Sequence, residues 1–282
     1  MKPSQVQAID AHAHYGLYTR TGHKMHETFM TGDANEVVRR ARNSRIVQTI
    51  VSPLLGLLPR GEASAEVGNN EAWDIVSRTE GLLQYVIVNP LEKRTYDQAR
   101  EMLGQRKCVG IKIHPEEHRY PIKEHGRAIF EFASKLDEPP VIMTHSGEQL
   151  SMPQDFIPFT NDFPQVKLLL AHIGCGWDGD PTHQIRAIQM SKRGNVYADT
   201  SSAQSITPGL IEWAVKEVGV DRVLFGTDTP LYSVPMQRAR IDGADLSDHD
   251  KRQILRENAL RLFGPNLARH CGENALATAS AF

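Results

Sequence analysis

The chain has few cysteines, no strong charge of either sign and no long apolar run. Its three cysteines, Cys108, Cys175 and Cys271, are odd in number and widely separated, so they do not form a disulfide framework. Cys108 and Cys175 read as small packing residues rather than nucleophiles. A formal charge of -2 gives neither the basic footprint of a nucleic-acid binder nor an acidic tail. No apolar stretch approaches the ~18 residues of a membrane span. The opening MKPSQVQAID moves straight into a strand without a signal-type apolar region. With no disulfide framework, a reducing cytoplasm is the expected compartment.

What is present is a run of short apolar, β-branched-rich segments along 282 residues. They fall at 6–12, 46–52, 82–89, 108–114, 140–145, 166–172, 196–201 and 223–228. They are continuous rather than alternating, as in LLQYVIVN and VKLLLA, which suits parallel strands covered on both faces. Between them, ANEVVRRARNS, TYDQAREMLGQ, HGRAIFEFASKL and PGLIEWAVKEVG place apolar residues three and four apart, the helical period. Asp33 or Asn35 caps the first of these helices, Pro208 suits the first turn of the last, and Gly219 its end. Eight strands alternating with helices predict an α/β protein with one closed (β/α)8 TIM barrel over residues 1–265, a doubly wound open sheet with fewer strands being the runner-up. Residues 266–282 are expected to be a small-residue-rich tail. Residues 15–33 and 53–65 are long connections after the first two strands, on the face where barrels carry their active sites.

Five residues stand at strand ends: His12, His14, His145, His172 and Asp228. His12 and His14 are two apart, so on a strand both point to one face, with Asp10 a layer deeper. Imidazole and carboxylate are the ligands of a borderline divalent ion such as zinc. Such groups converging on a barrel rim make a catalytic metal site. The remaining histidines, His118, His125, His183, His249 and His270, read as solvated or locally hydrogen-bonded. In CVGIKIHP, Lys112 and His114 share a face by the same period of two. Three readings of Lys112 stay open: a neutral amine carboxylated to bridge two ions, an ammonium that binds a substrate carboxylate, or an internal ion pair with Asp10 or Glu116.

The ordered stretches IDAHAH, GIKIHP, VIMTHSG, LLLAHIG, NVYADTSS, VLFGTDTP and ILRENALRLFG resemble the amidohydrolase superfamily, more narrowly amidohydrolase family 2, over residues 8–264. The resemblance implies a distorted (β/α)8 barrel enzyme with one or two divalent ions, usually zinc. In its mononuclear branch His12, His14, His145 and Asp228 would be the ligands, with His172 beside them as base or electrostatic helper. In binuclear relatives Lys112 and His172 would join the ligand set. Thr229 departs from the family, where an aromatic residue often precedes the proline.

The first-ranked reaction is hydrolysis of an amide, lactone or ester of a small organic substrate by a metal-activated water, with Asp228 moving the proton and His172 stabilising charge. The alternative is non-oxidative decarboxylation of a small aromatic or unsaturated carboxylic acid. Arg20, Arg60, Lys112 and His114 are candidate carboxylate partners. A non-catalytic binding barrel ranks third. Tyr15, Tyr18, Phe29, Leu54, Leu55, Trp177 and Tyr232 are candidates for an apolar pocket wall. The expected partner is a small molecule, with homo-oligomerisation open.

Overall fold

The computed structural model describes residues 3–20, 24–105, 107–264 and 267. The eight expected strands form: β1 Ala8–Tyr15, β2 Ile46–Pro53, β3 Leu82–Ile87, β4 Cys108–Ile113, β5 Val141–Thr144, β6 Lys167–Leu170, β7 Val196–Asp199 and β8 Val223–Leu224. They pair in parallel in sequence order. Backbone bonds close the ring where β8 ends. Ala11 N–H donates to Phe225 O at 2.9 Å, Asp228 N–H to His12 O at 2.8 Å and His14 N–H to Thr229 O at 2.7 Å. The result is the (β/α)8 barrel that the spacing of apolar segments predicts. Several irregularities distort it, among them the two-residue β8 and a register slip in β1 between Asp10 and Ala13, where His12 lies.

Helices cover the barrel: α1 Lys24–Phe29, α2 Ala34–Asn43, α3 Ala65–Arg78, α4 Arg94–Met102, α5 Ile122–Ser134, α6 Ile157–Asp162, α7 His183–Met190, α8 Leu210–Val218, α9 Val234–Asp242, α10 Asp248–Arg252 and α11 Asn258–Phe263. Among the described residues, none is long and apolar enough to cross a membrane. Asp33 caps α2, its carboxylate accepting from Glu36 N–H at 2.8 Å. Gly219 ends α8 as expected. Pro208 does not enter the first turn of α8, because Gly209 takes a left-handed conformation with φ of 76° and the helix starts only at Leu210.

Two apolar layers result. Val86, Ile111, Ile142 and Leu168 face the helices. Leu83, Tyr85, Met143 and Leu169 fill the barrel with Ala259, Leu262 and Phe263 of α11. Lys167, the first residue of β6, donates to Leu262 O at 3.3 Å, which puts α11 at the N-terminal end of the strands. The opposite end is left to polar residues. There, Gly16 and Gly32 exchange backbone bonds at 2.7 and 3.2 Å, closing the first long connection into a loop that holds α1. The second connection begins with a 3-10 turn, Leu54–Gly56, and ends at Ser64, the N-cap of α3. Of the expected tail 266–282, only Leu267 is among the described residues, and it is buried in the barrel core.

Candidate metal centre and active site

His12 and His14 project from β1 into the polar end of the barrel, and Asp228 meets them from the turn after β8. Their side chains are almost fully buried. Asp228 Oδ1 is 3.2 Å from His14 Nε2 and 3.5 Å from His12 Nε2, and the three donor atoms lie within 4.8 Å of one another. Each ring is held at its far nitrogen. His14 Nδ1 is 3.0 Å from the carbonyl oxygen and 3.0 Å from the hydroxyl of Ser52. His12 Nδ1 is 3.1 Å from Asp199 Oδ2 and 2.9 Å from Ser201 Oγ. A carbonyl can only accept, so His14 Nδ1 carries a hydrogen and its Nε2 faces Asp228. Burial, then Lys112, push the His12 imidazolium pKa well below its usual range. Imidazole nitrogens and a carboxylate oxygen this close repel unless a proton or a metal ion lies among them. The donor set and its outer hydrogen bonds therefore fit a divalent ion.

The turn residues that complete this end are conformationally unusual. His172 and Asp228 have φ of 71° and 55°, a left-handed backbone that costs a non-glycine residue about 1–3 kcal/mol. Both are tied into backbone bonds, Cys175 N–H to His172 O at 2.9 Å and Leu231 N–H to Asp228 O at 2.9 Å. Burial alone would raise the Asp228 pKa, but the facing His12 and His14 outweigh it and hold the carboxyl well below its ordinary value. His172 is lowered to about 4, chiefly by burial. Asp10, one layer deeper, accepts from Thr227 Oγ1 at 2.6 Å and Thr227 N–H at 3.0 Å, and burial raises it to about 8.

Lys112 reaches the same floor from β4. Its Nζ is 3.0 Å from His12 Nε2 and 3.0 Å from Met143 Sδ. Neither Asp10 nor Glu116 takes it as an ion-pair partner: Asp10 is used by Thr227, and Glu116 by Leu150 N–H and the Ser151 hydroxyl. Burial lowers Lys112 to about 8, so it is mostly charged at neutral pH. His114 stacks on His145 with centroids 4.5 Å apart. His145 lies in the cavity, 5.0 Å from His172, but outside the His12–His14–Asp228 group; its Nε2 is 3.0 Å from Glu148 Oε1.

These side chains line a cavity of about 170 Å³, walled by Leu54, Leu57, Leu58, Leu231, Tyr18 and Tyr232. Arg20 is at its edge, 3.3 Å from Glu117. Arg60 stands behind that carboxylate, its Nη2 at 3.0 Å and Nε at 3.2 Å, and does not itself line the cavity. Trp177, 57% exposed, also lies off the lining, as do the exposed Phe29 and Leu55. Tyr15 packs into the core instead, with its hydroxyl on Glu71 at 3.0 Å.

The family model for amidohydrolases matches residues 9–264. The chain belongs to the amidohydrolase family. No curated protein matches it. Among solved structures, it is similar to a dihydroxybenzoic acid decarboxylase from Polaromonas sp. JS666 with bound manganese and 2-nitroresorcinol. The two are 16% identical over 96% of this chain and 99% of that one, with a TM-score of 0.71. It is similar to a 2,6-dihydroxybenzoate decarboxylase from Rhizobium at 16% identity over 93% and 99% of the two chains, with a TM-score of 0.68. A 5-carboxyvanillate decarboxylase from Novosphingobium aromaticivorans, with manganese and a nitrobenzoic acid, is 12% identical over 92% and 96%, with a TM-score of 0.67. At these identities the likeness shows the amidohydrolase barrel alone.

Sequence reasoning missed four residues at or behind this candidate site: Asp199, Ser201, Glu117 and Glu148. The NVYADTSS stretch carried the first two. Their signal was a carboxylate closing a strand, as Asp228 does, but Thr200 and the serines beside it read equally as a turn. Cys175 is half-buried and lines the cavity, rather than being fully packed away. His118 and His183 are buried and hydrogen-bonded locally, to Gly56 O and Asp178. Cys271 and His270 lie outside the described residues.

Proposed function

We propose that this amidohydrolase-family protein is a metal-dependent, non-oxidative decarboxylase of a small aromatic or unsaturated carboxylic acid. The observation that carries the reading is the buried Lys112 amine, 3.0 Å from His12 Nε2 at the floor of the cavity. An ammonium beside a divalent cation site attracts an anionic group to that floor. The leucine and tyrosine wall gives the rest of a small acid an apolar surface. The similar structures named above, which act on aromatic acids, support the same class. The order of the two readings from the sequence is thereby reversed.

We assign His12, His14 and Asp228 as metal ligands, with His145 as a fourth once it leaves Glu148. Two imidazoles and a carboxylate suit zinc and manganese alike. An ion held there supplies a Lewis acid for the substrate's anionic oxygens. Lys112 binds the carboxylate, with His114 beside it, and the leucines exclude water. The bond between the carboxylate and its carbon breaks, and its electron pair stays on that carbon. A solvent-derived proton, passed on by Asp228 and His172, takes its place. Tyr232 borders the body of the substrate. Arg60 acts through Glu117 rather than on the substrate.

Hydrolysis is the second reading, favoured by the ionised Asp228 carboxylate at the ion site, a base suited to a water proton. A paired screen separates the two, with zinc- and manganese-loaded protein assayed on aromatic and unsaturated acids and on lactones, esters and amides. Carbon dioxide release with solvent deuterium on the product carbon supports decarboxylation. Ring or bond opening with ¹⁸O from labelled water, and no carbon dioxide, overturns it.

A further inference from the structure

Ser201 Oγ has three polar neighbours at once. His12 Nδ1 lies at 2.9 Å, His172 Nδ1 at 2.8 Å and Asp199 Oδ1 at short hydrogen-bond distance. A hydroxyl has one hydrogen to give and two lone pairs to receive. Asp199 Oδ1 already takes the backbone N–H groups of His172 at 3.0 Å and Ser201 at 2.9 Å, so it is an acceptor. The Ser201 hydrogen must therefore go to Asp199. Both lone pairs of Ser201 are left for hydrogens on His12 Nδ1 and His172 Nδ1.

We infer that Asp199 and Ser201 are positioning residues which lock His12 and His172 together in the Nδ1–H tautomer. Both Nε2 lone pairs are thereby aimed into the cavity. One serine hydroxyl fixes the nitrogen that holds the metal ion on one ring and the nitrogen that moves a proton on the other. Lys112 supports the assignment independently. A lysine amine close to His12 Nε2 donates to it, which requires a lone pair there and hence the hydrogen on Nδ1. Packing keeps the cluster from loosening. A Cβ at Gly226 would lie 3.1 Å from His12 Cβ and 3.2 Å from both Asp199 Cγ and Ser201 Cβ, so any larger residue would press on all three side chains by a few tenths of an ångström.

The two rings depend on the pair unequally. His12 Nδ1 also reaches Asp199 Oδ2 at 3.1 Å, so it keeps an acceptor without Ser201, whereas the Nδ1 partner of His172 is Ser201 itself. Ser201→Ala should therefore release His172 and spare His12. Asp199→Asn puts an amide beside His12 Nδ1. Its NH2 would favour the opposite tautomer and move a hydrogen onto the metal-binding nitrogen.

The inference rests on the proposed reading of the site only in taking His12 and His172 as its working histidines. The test reads tautomers directly, by ¹⁵N–¹H long-range NMR of ¹⁵N-histidine-labelled, metal-free full-length protein, alongside manganese titration. Wild type should show Nδ1–H at both rings. Ser201→Ala should lose it at His172 alone, keep manganese affinity within about 3-fold, and lower turnover about 10-fold or more. Asp199→Asn should weaken manganese about 10-fold or more, as loss of an outer hydrogen-bond partner does. Ser201→Thr keeps the hydroxyl and should restore the His172 signal, which a merely structural role for Ser201 would not require. If Asp199→Asn fails to fold, the two Ser201 variants decide. Nε2–H at His12 or His172 in wild type, or an unchanged His172 tautomer in Ser201→Ala, overturns the inference. A wrong reaction class would leave all the tautomers as stated.

Discussion

Replacing His12 and His14 together by alanine removes two of the three donor atoms that meet at Asp228 Oδ1. The double variant should hold no stoichiometric metal after gel filtration, by atomic emission, and show no turnover. Its helical circular dichroism should stay near normal, because the helices pack on the outward-facing strand residues. Full metal occupancy would refute the ligand assignment. Asp228→Asn keeps the shape but loses the charge and the basic oxygen, and kcat should fall about 10²-fold with a smaller loss of metal. A variant within 2-fold of wild type would remove Asp228 from the proton path. These residues were legible in the sequence because each histidine or carboxylate interrupts an apolar run where a barrel strand ends. Ser201 was not, since a serine's role depends on what faces it across the barrel and leaves no periodicity. Arg60 was visible as a charge, but Glu117, which takes up that charge, is brought to it only by the fold.

Among the elements, α3 meets the Leu54–Gly56 turn after β2 backbone to backbone. A Cβ on Gly68 would lie 2.4 Å from Gly56 Cα, so the backbones touch with no room for a side chain. Gly68→Ala should destabilise the protein by about 1–3 kcal/mol, read as a lowered urea midpoint. An unchanged midpoint would mean that the turn and α3 move apart freely. A second junction joins α8, α9 and the Ala203–Ile206 turn. Arg240 donates to both Glu212 oxygens, at 2.6 and 3.3 Å, and to Ser205 O at 3.0 Å. Burial opposes ionisation of Glu212, but the bonds from Arg240 outweigh it and bring the carboxyl from 4.5 to about 2. A lowered folded pKa stabilises fully above the unfolded value, and that stability drains away as pH falls from about 4.5 towards 2. Urea midpoints over that window should fall less steeply for Glu212→Gln than for wild type. Parallel curves would show that the pair contributes nothing to acid stability. Helix positions were readable from the three- and four-residue spacing, whereas the start of α8 was not. Whether Pro208 or Gly209 opens that helix is decided by a left-handed backbone that the spacing does not encode.

For the whole molecule, the barrel was readable because parallel strands covered on both faces must be apolar throughout, and eight such runs leave room for helices between them. Closure was not readable. It depends on β1 bonding to the residues after a two-residue β8, which the same bonds bring to His12 and His14. Barrel closure and the proposed ion site are thus one piece of structure. The most direct test is anomalous diffraction from crystals grown with manganese, measured above and below the manganese edge. The expected result is a peak bonded to His12 Nε2, His14 Nε2 and Asp228 Oδ1 at the C-terminal end of the barrel, with Lys112 Nζ displaced from His12. A peak elsewhere, or none while Lys112 stays on His12, would contradict the assignment of this cavity as a metal-dependent active site.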